Sequence, residues 1–367
     1  MIKRRRERFE LMSISFLDPV QILLGPEHSL TEGCVLIKER SIKAFGEKAR
    51  KLAKELGIEA TDAKEKIIAP CLVDPHSTLE DTFKSSCQTL STLKEEAAMA
   101  GYGQIAILPK SSSSWRDSTE LLVALTNPKG NVIIHVWGSF SIGGKGKELA
   151  SHSDLIKFGA VGLADDDSIP PVELLKKGFI LREIEDEPIL IAPRDKSIQG
   201  NGIARESVET LRSGCPPDPL ASEVIPLSVL IALHNQHPKI NLRLMNISTA
   251  AGVAMLSKYG RKLFASVSWW HLVADSSSLN SAEIGSYVTP SLGNQTDREE
   301  LIKGLKERLL TGVAVHSVPL DKTETIQPIN QRLPGVSGHQ LVLPSLWEAL
   351  VIERKWSVED LWEALSF

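Results

Sequence analysis

The stretch Ile67-Ile68-Ala69-Pro70-Cys71-Leu72-Val73-Asp74-Pro75-His76-Ser77-Thr78-Leu79-Glu80-Asp81 divides the chain into two regimes. Its apolar half has the length and composition of a buried β-strand, and its polar half begins where such a strand would end. The polar side chains therefore sit at a strand terminus, pointing out of a sheet. Before this stretch the chain reads as short strands, and after it strand and helix alternate.

Downstream, apolar runs recur at 71–73, 104–108, 132–136, 160–163, 179–181, 240–245, 263–267 and 312–315. Helical spacing lies between or after them, near 87–101, 117–126, 147–157, 171–178, 219–236, 249–259, 297–310 and 345–352. Eight strands alternating with helices predict a TIM-type (β/α)8 barrel, an α/β fold. An open, doubly wound sheet is the alternative, but no GxGxxG fingerprint follows the first strand. In a barrel the carboxyl ends of the strands meet substrate, so function is read there. The region 183–219 lacks periodicity and reads as a long strand-to-helix loop.

Upstream, residues 13–68 predict a small, partly built β-sandwich unit, with turns at Gly25-Pro26 and Glu32-Gly33. Residues 1–12, with Arg4-Arg5-Arg6, predict a disordered basic tail. The expected domains are thus the tail, the β unit at 13–68 and a βα barrel at 69–367.

With 367 residues, 24% charged and 42% apolar, the chain is of ordinary globular composition. A net charge of −4 gives no basic field, so neither nucleic acid nor a membrane surface is an expected partner. No apolar run approaches the ~20 residues of a membrane span. Cys34, Cys71, Cys87 and Cys215 form no CxxC pair, which suits a reducing, cytoplasmic compartment.

Pro70-Cys71-Leu72-Val73-Asp74-Pro75-His76 resembles the Pro-Gly-(apolar)-Val-Asp-x-His opening of the amidohydrolase superfamily. Gly159–Asp166, Ser248-Thr249-Ala250-Ala251-Gly252-Val253, Asp297-Arg298-Glu299-Glu300-Leu301 and Pro334-Gly335-Val336-Ser337-Gly338 follow in the order of the dihydroorotases, from about residue 13 to the end. The resemblance implies a cyclic amidase of pyrimidine biosynthesis, converting dihydroorotate and water to N-carbamoyl-aspartate at two zinc-type ions. It also implies C-terminal strands that complete the sandwich, whereas this chain stops at Leu361-Trp362-Glu363-Ala364-Leu365-Ser366-Phe367.

The implied metal set is eroded. Of the family's His-x-His, His76 is present and Thr78 takes the second place. The bridging acid falls at Asp165 or Asp166, the fifth-strand histidine at Glu183 and the sixth-strand histidine at Asn246. Val315-His316-Ser317-Val318-Pro319-Leu320 covers the family's catalytic aspartate, leaving His316 and Ser317 near that position. The family's substrate-gripping arginine falls at Glu80, and two substrate asparagines fall at Lys110 and Thr289. A single ion on His76, Asp165 or Asp166, Glu183 and His316 is the sharper reading; leftover polar groups bonded to one another are the plainer one. Trp269-Trp270-His271 reads as a plug for the mouth, with Trp270 and His271 as a heterocycle platform in the alternative.

Serines 111–114 and 276–278 read as loops, since no nucleophile elbow accompanies them. Gly143-Gly144 reads as a flexible turn and not as a phosphate cradle. The expected function is therefore a dihydroorotase-like, catalytically inactive structural or regulatory subunit without a cofactor. The resemblance suggests homo-oligomers, with aspartate carbamoyltransferase as a partner. A dihydroorotase with an altered, one-zinc site and a heterocycle-binding module are the alternatives.

Overall fold

The computed structural model describes residues 14–79, 90–109, 131–165, 168–181, 186–260, 263–279, 287–318, 333–336 and 338–367. Glu80, Lys110, Asp166 and Glu183 lie outside the described residues, as do 1–12 and serines 111–114. The chain divides into two compact units, one of residues up to Cys71 with Ser357–Phe367, the other Leu72–Trp356.

In the first unit, β1 (Ile14–Ile22), β2 (Thr31–Lys38), β3 (Ser41–Phe45) and β4 (Thr61–Ile68) form one sheet in the order β3-β2-β1-β4. The helix Gly46–Leu56 lays Ala49 and Ala53 on Phe16, Cys34 and Leu36 of that sheet. Gly57, at φ 65°, ends it in the left-handed conformation that a Cβ would disfavour. The helix Val358–Leu365 opens with a capping box of Ser357 and Asp360. Residues 357–367, expected in the barrel, group with this unit instead. The physical reason is direct bonding: the Trp362 indole donates to Pro70 O at 3.0 Å, and Ser366 Oγ donates to Cys71 O at 2.7 Å. The Leu30 N–H also donates to Glu359 Oε1 at 2.7 Å.

The second unit carries the alternation. One parallel sheet holds β5 (Leu72–Ser77), β6 (Tyr102–Ile107) and β7 (Ile133–Val136). The other is parallel in the order β15-β14-β13-β10-β9-β8, formed by β8 (Gly138–Ser139), β9 (Leu163–Asp165), β10 (Ile189–Ile191), β13 (Leu242–Leu244), β14 (Phe264–Ser268) and β15 (Gly312–Ala314). Trp137 alone separates β7 from β8. A two-stranded sheet of β11 (Ala204–Arg205) and β12 (Pro217–Asp218) sits in the long connection after β10. Among the described residues no helix is long and apolar enough to cross a membrane.

Seven of the eight expected strands overlap observed ones, the run at 160–163 only at Leu163. The fifth does not: residues 179–181 lie in the helix Val172–Leu181, whose Leu174, Leu175, Gly178 and Phe179 are buried at helical spacing. The strand that follows β9 in the ladder is β10, whose three residues are all buried. Its carboxyl end is Ala192-Pro193-Arg194, and not the neighbourhood of Glu183.

Between β15 and β5, side chains bridge the chain. Asp74 Oδ1 accepts from the Val315 N–H at 3.1 Å, and Ser77 Oγ accepts from the Ser317 N–H at 3.2 Å. Asp74 Oδ2 lies 2.9 Å from His339 Nε2.

The two faces of the sheets are told apart at Gly138, where an added Cβ would lie 3.1 Å from Leu155, next to the helix His152–Lys157. Gly138 faces the helices, and its neighbour Trp137 faces the other way. There Trp137 packs with Ala106, Leu108, Ala164, Leu190, Ala192 and Met245, a cluster without a helix residue. The indole packed on this face is thus that of Trp137, whereas the plug expected from sequence was Trp269–Trp270. Trp269 is fully buried elsewhere, against Gly338 at the start of the helix His339–Leu346.

Candidate functional site

His76, near the end of β5, is fully buried, and both its ring nitrogens are engaged. Nε2 lies 2.7 Å from Ser266 Oγ, and Nδ1 lies 3.3 Å from Nδ1 of His316. Ser266 Oγ also accepts from the Asn246 N–H at 2.9 Å. Burial, then the neighbouring His316, hold the His76 pKa well below its usual value, so the ring is neutral at physiological pH. Thr78 Oγ1 donates to Ser317 O at 2.6 Å, so its hydroxyl ties β5 to the segment after β15.

Asn246 and His316 follow β13 and β15 in the left-handed region, at φ 52° and 46°. Such a backbone costs most non-glycine residues about 1–2 kcal/mol, asparagine being among the best tolerated, and it clusters at functional sites. Asp165, the last residue of β9, accepts from Ser141 Oγ at 2.5 Å through Oδ2 and from the Ser141 N–H at 3.4 Å through Oδ1.

The strand ends thus bring His76, His316 and Asn246 together, with Thr78 and Ser317 paired beside them. Among the described residues no three His, Cys, Asp or Glu side chains converge as a metal would require. Among the described residues the donors do not make a two-metal centre: Thr78 is hydrogen-bonded to a carbonyl, Ala192 at the end of β10 has no donor, and Asn246 offers only an amide.

A pocket of about 290 Å³, counting space open to solvent, lies over the ends of β10, β13 and β15. Ala192 and Met245 line it together with the polar residues Arg194, Arg205, Glu223, Asn246, Thr289 and His316. Three residues proposed from sequence (Asn246, Thr289, His316) therefore share one pocket. Asn246 Oδ1 is buried without a hydrogen bond. Trp270 is half-buried and meets Trp269 edge-on at 5.2 Å. His271 is buried, with Nε2 3.4 Å from Ser291 O and Nδ1 unbonded. Burial lowers its pKa to about 4, the carbonyl bond opposing and the Arg205 charge assisting.

Arg205 was not legible as a site residue. It is 4% exposed and pairs with Asp218 Oδ2 at 3.0 Å and Glu223 Oε2 at 3.3 Å. Its Nη1 donates to Ser222 Oγ at 2.6 Å and its Nη2 to Ser248 Oγ at 3.0 Å. Glu223 also accepts from the Ser248 N–H and from the Ser248 and Thr249 hydroxyls. The one available signal was Glu223 itself, the one acid in the helix Ala221–Gln236, in its first turn.

The Gly143-Gly144 turn has its amides engaged internally. Gly144 and Lys145 N–H donate to Ser141 and Ile142 carbonyls, and Gly146 N–H donates to Ser141 Oγ. Asp275 caps the turn at Ser277.

No protein-family model matches the chain. A probable dihydroorotase-like protein of Synechocystis sp. is 29% identical over 95% of this chain and 85% of its own length. A dihydroorotase of Thermoanaerobacter sp. is 25% identical, over 83% of this chain and 72% of that one. Among solved structures, the L-hydantoinase (dihydropyrimidinase) of Arthrobacter aurescens superposes with a TM-score of 0.73 at 17% identity, covering 96% of this chain and 80% of that one. The dihydropyrimidinase of Brevibacillus agri gives 0.74 at 17% identity, covering 96% and 79%. These structures share the mixed α/β fold.

Proposed function

We propose that this chain, a dihydroorotase-like member of the amidohydrolase family, does not hydrolyse dihydroorotate and serves as a structural or regulatory subunit. The two sheets of the larger unit are read as one (β/α)8 barrel. The observation that carries the reading is the state of His76, whose two nitrogens are both taken by Ser266 and His316 while Thr78 is tied to Ser317. A metal-activated water needs imidazole and carboxylate lone pairs free to face an ion, and a catalytic acid beside it. Here those strand ends bond to one another. The chain acts as a homo-oligomer in a cytoplasmic assembly, with aspartate carbamoyltransferase as the partner to test first.

A second reading rests on one distance. Two imidazole nitrogens on a tetrahedral zinc, each about 2.0–2.1 Å from it, would stand about 3.3–3.4 Å apart. The His76–His316 separation of 3.3 Å meets that figure. The test is zinc content of metal-stripped protein after re-exposure, with a dihydroorotate hydrolysis assay on the same sample. Zinc well below one per chain and no turnover is the expected result, followed by co-purification of the carbamoyltransferase. One or two tightly held ions with turnover abolished by His76→Ala would overturn it. A heterocycle-binding role would instead appear as a rise in thermal midpoint with pyrimidine intermediates.

A further inference from the structure

The mouth of the strand ends is filled from within. Trp137 is 4% exposed, and its indole N–H donates to Pro75 O at 3.0 Å, the carbonyl just before His76. Around the ring, Ala106, Ala164 and Ala192 supply small side chains from three different strands or strand ends. Gly162 supplies none: a Cβ there would lie 2.6 Å from the Trp137 ring. Four minimal residues around one indole make a void of the ring's own shape, since interiors are packed to crystal-like density. Ala192 and Met245 belong both to this cluster and to the lining of the polar pocket. The cluster that holds the ring therefore adjoins the pocket, whose water-accessible space is about that of one water molecule.

We propose that the Trp137 indole is a built-in occupant of the space enclosed by the strand ends, holding it against any planar ring-sized ligand. Its meaning for activity rests on the non-hydrolytic reading above; the occupancy itself does not. The chemistry is that of a bicyclic, largely apolar ring with one N–H, bound by a backbone carbonyl and walls of alanine, leucine and methionine. Removing it leaves a site for a free ligand of that class, in a void on the order of the ~150 Å³ that takes up benzene in other cores.

The test uses Trp137→Ala with indole as the probe. The variant melts lower than the parent, and indole raises its midpoint and titrates to one site per chain. N-methylindole, which cannot donate to Pro75 O, binds more weakly, and the parent protein takes up neither. An unchanged midpoint in the variant, or no response to indole in a folded variant, would overturn the proposal.

Should the variant not fold, the parent still decides the matter through its indole N–H resonances. Trp137→Phe assigns the signal, which is protected from solvent exchange if the ring is lodged; rapid exchange overturns the proposal. Dihydroorotate turnover by a parent whose Trp137 signal is protected would refute the functional reading and leave the occupancy standing. An exchanging signal without turnover would do the reverse.

Discussion

Replacing Arg205 by methionine removes one buried positive charge that serves two buried negative ones. Arg205, Asp218 and Glu223 are each at most 4% exposed, so the local charge changes from 1 − 2 = −1 to −2 with no access to water. Glu223 keeps three hydrogen-bond donors from Ser248 and Thr249. Asp218 keeps the Ser222 hydroxyl at 2.6 Å. Breaking a buried pair by removing one partner costs about 3–5 kcal/mol, because the abandoned charge stays buried. Asp218 is the worse served of the two acids, so most of the loss is assigned to it. The double variant Arg205→Met/Asp218→Asn therefore recovers more than half of that penalty, since an asparagine still accepts from Ser222 and carries no charge. Urea unfolding followed by far-ultraviolet circular dichroism and by tryptophan fluorescence measures both variants. A loss in Arg205→Met below about 1 kcal/mol, the range of exposed pairs, would refute the placement of this network. So would a double variant no more stable than the single one.

His271 titrates at about 4 when folded and at 6.5 when unfolded, so the unfolded chain binds more protons between those values. Its contribution is complete above pH 6.5 and is lost as pH falls towards 4, about 3 kcal/mol in all at 1.36 kcal/mol per unit; His271→Gln should flatten that part of a stability–pH curve, and an unchanged slope counts against the burial of the ring. Gly162→Ala puts a Cβ 2.4 Å from Pro188 O and 2.6 Å from the Trp137 ring, and should destabilise by at least the ~1–3 kcal/mol of an overpacked core; a melting curve like the parent's would mean Trp137 lies elsewhere. Asn246→Gly relieves the φ of 52° and deletes an unbonded oxygen. Its denaturation midpoint should equal or exceed the parent's, with Asn246→Ala lower than Asn246→Gly by about 1–2 kcal/mol. Equal midpoints for the two would remove the case for strain.

Much of the fold was legible, because strand and helix leave local periodicities in apolar residues. The runs at 104–108, 132–136 and 312–315 are short and mostly apolar, and Ile105, Ile107, Ile134, Val136, Val313 and Ala314 are buried in them. The miss at 179–181 is instructive for the same reason. Phe179, Ile180 and Leu181 are an apolar run that periodicity alone cannot assign, and the helix register appears only when Leu174 and Leu175 are counted with them. Strand β10 is three residues long, too short to announce itself beside a longer run.

The site divides along the same line. Sequence by itself determined which residue types stand at the strand ends, and so that His76, Thr78, Asn246 and His316 meet near one mouth. The dihydroorotase resemblance, in turn, implied only which of these positions a metal set would occupy. Only the tertiary structure decided what these groups do to one another. His76 bonds to a partner 240 residues away, Arg205 reaches acids on a separate strand and helix, and Trp137 packs among residues of four other strands or strand ends. Periodicity is a property of neighbours along the chain, whereas hydrogen bonding and packing are satisfied by whichever group the fold brings within about 3–4 Å.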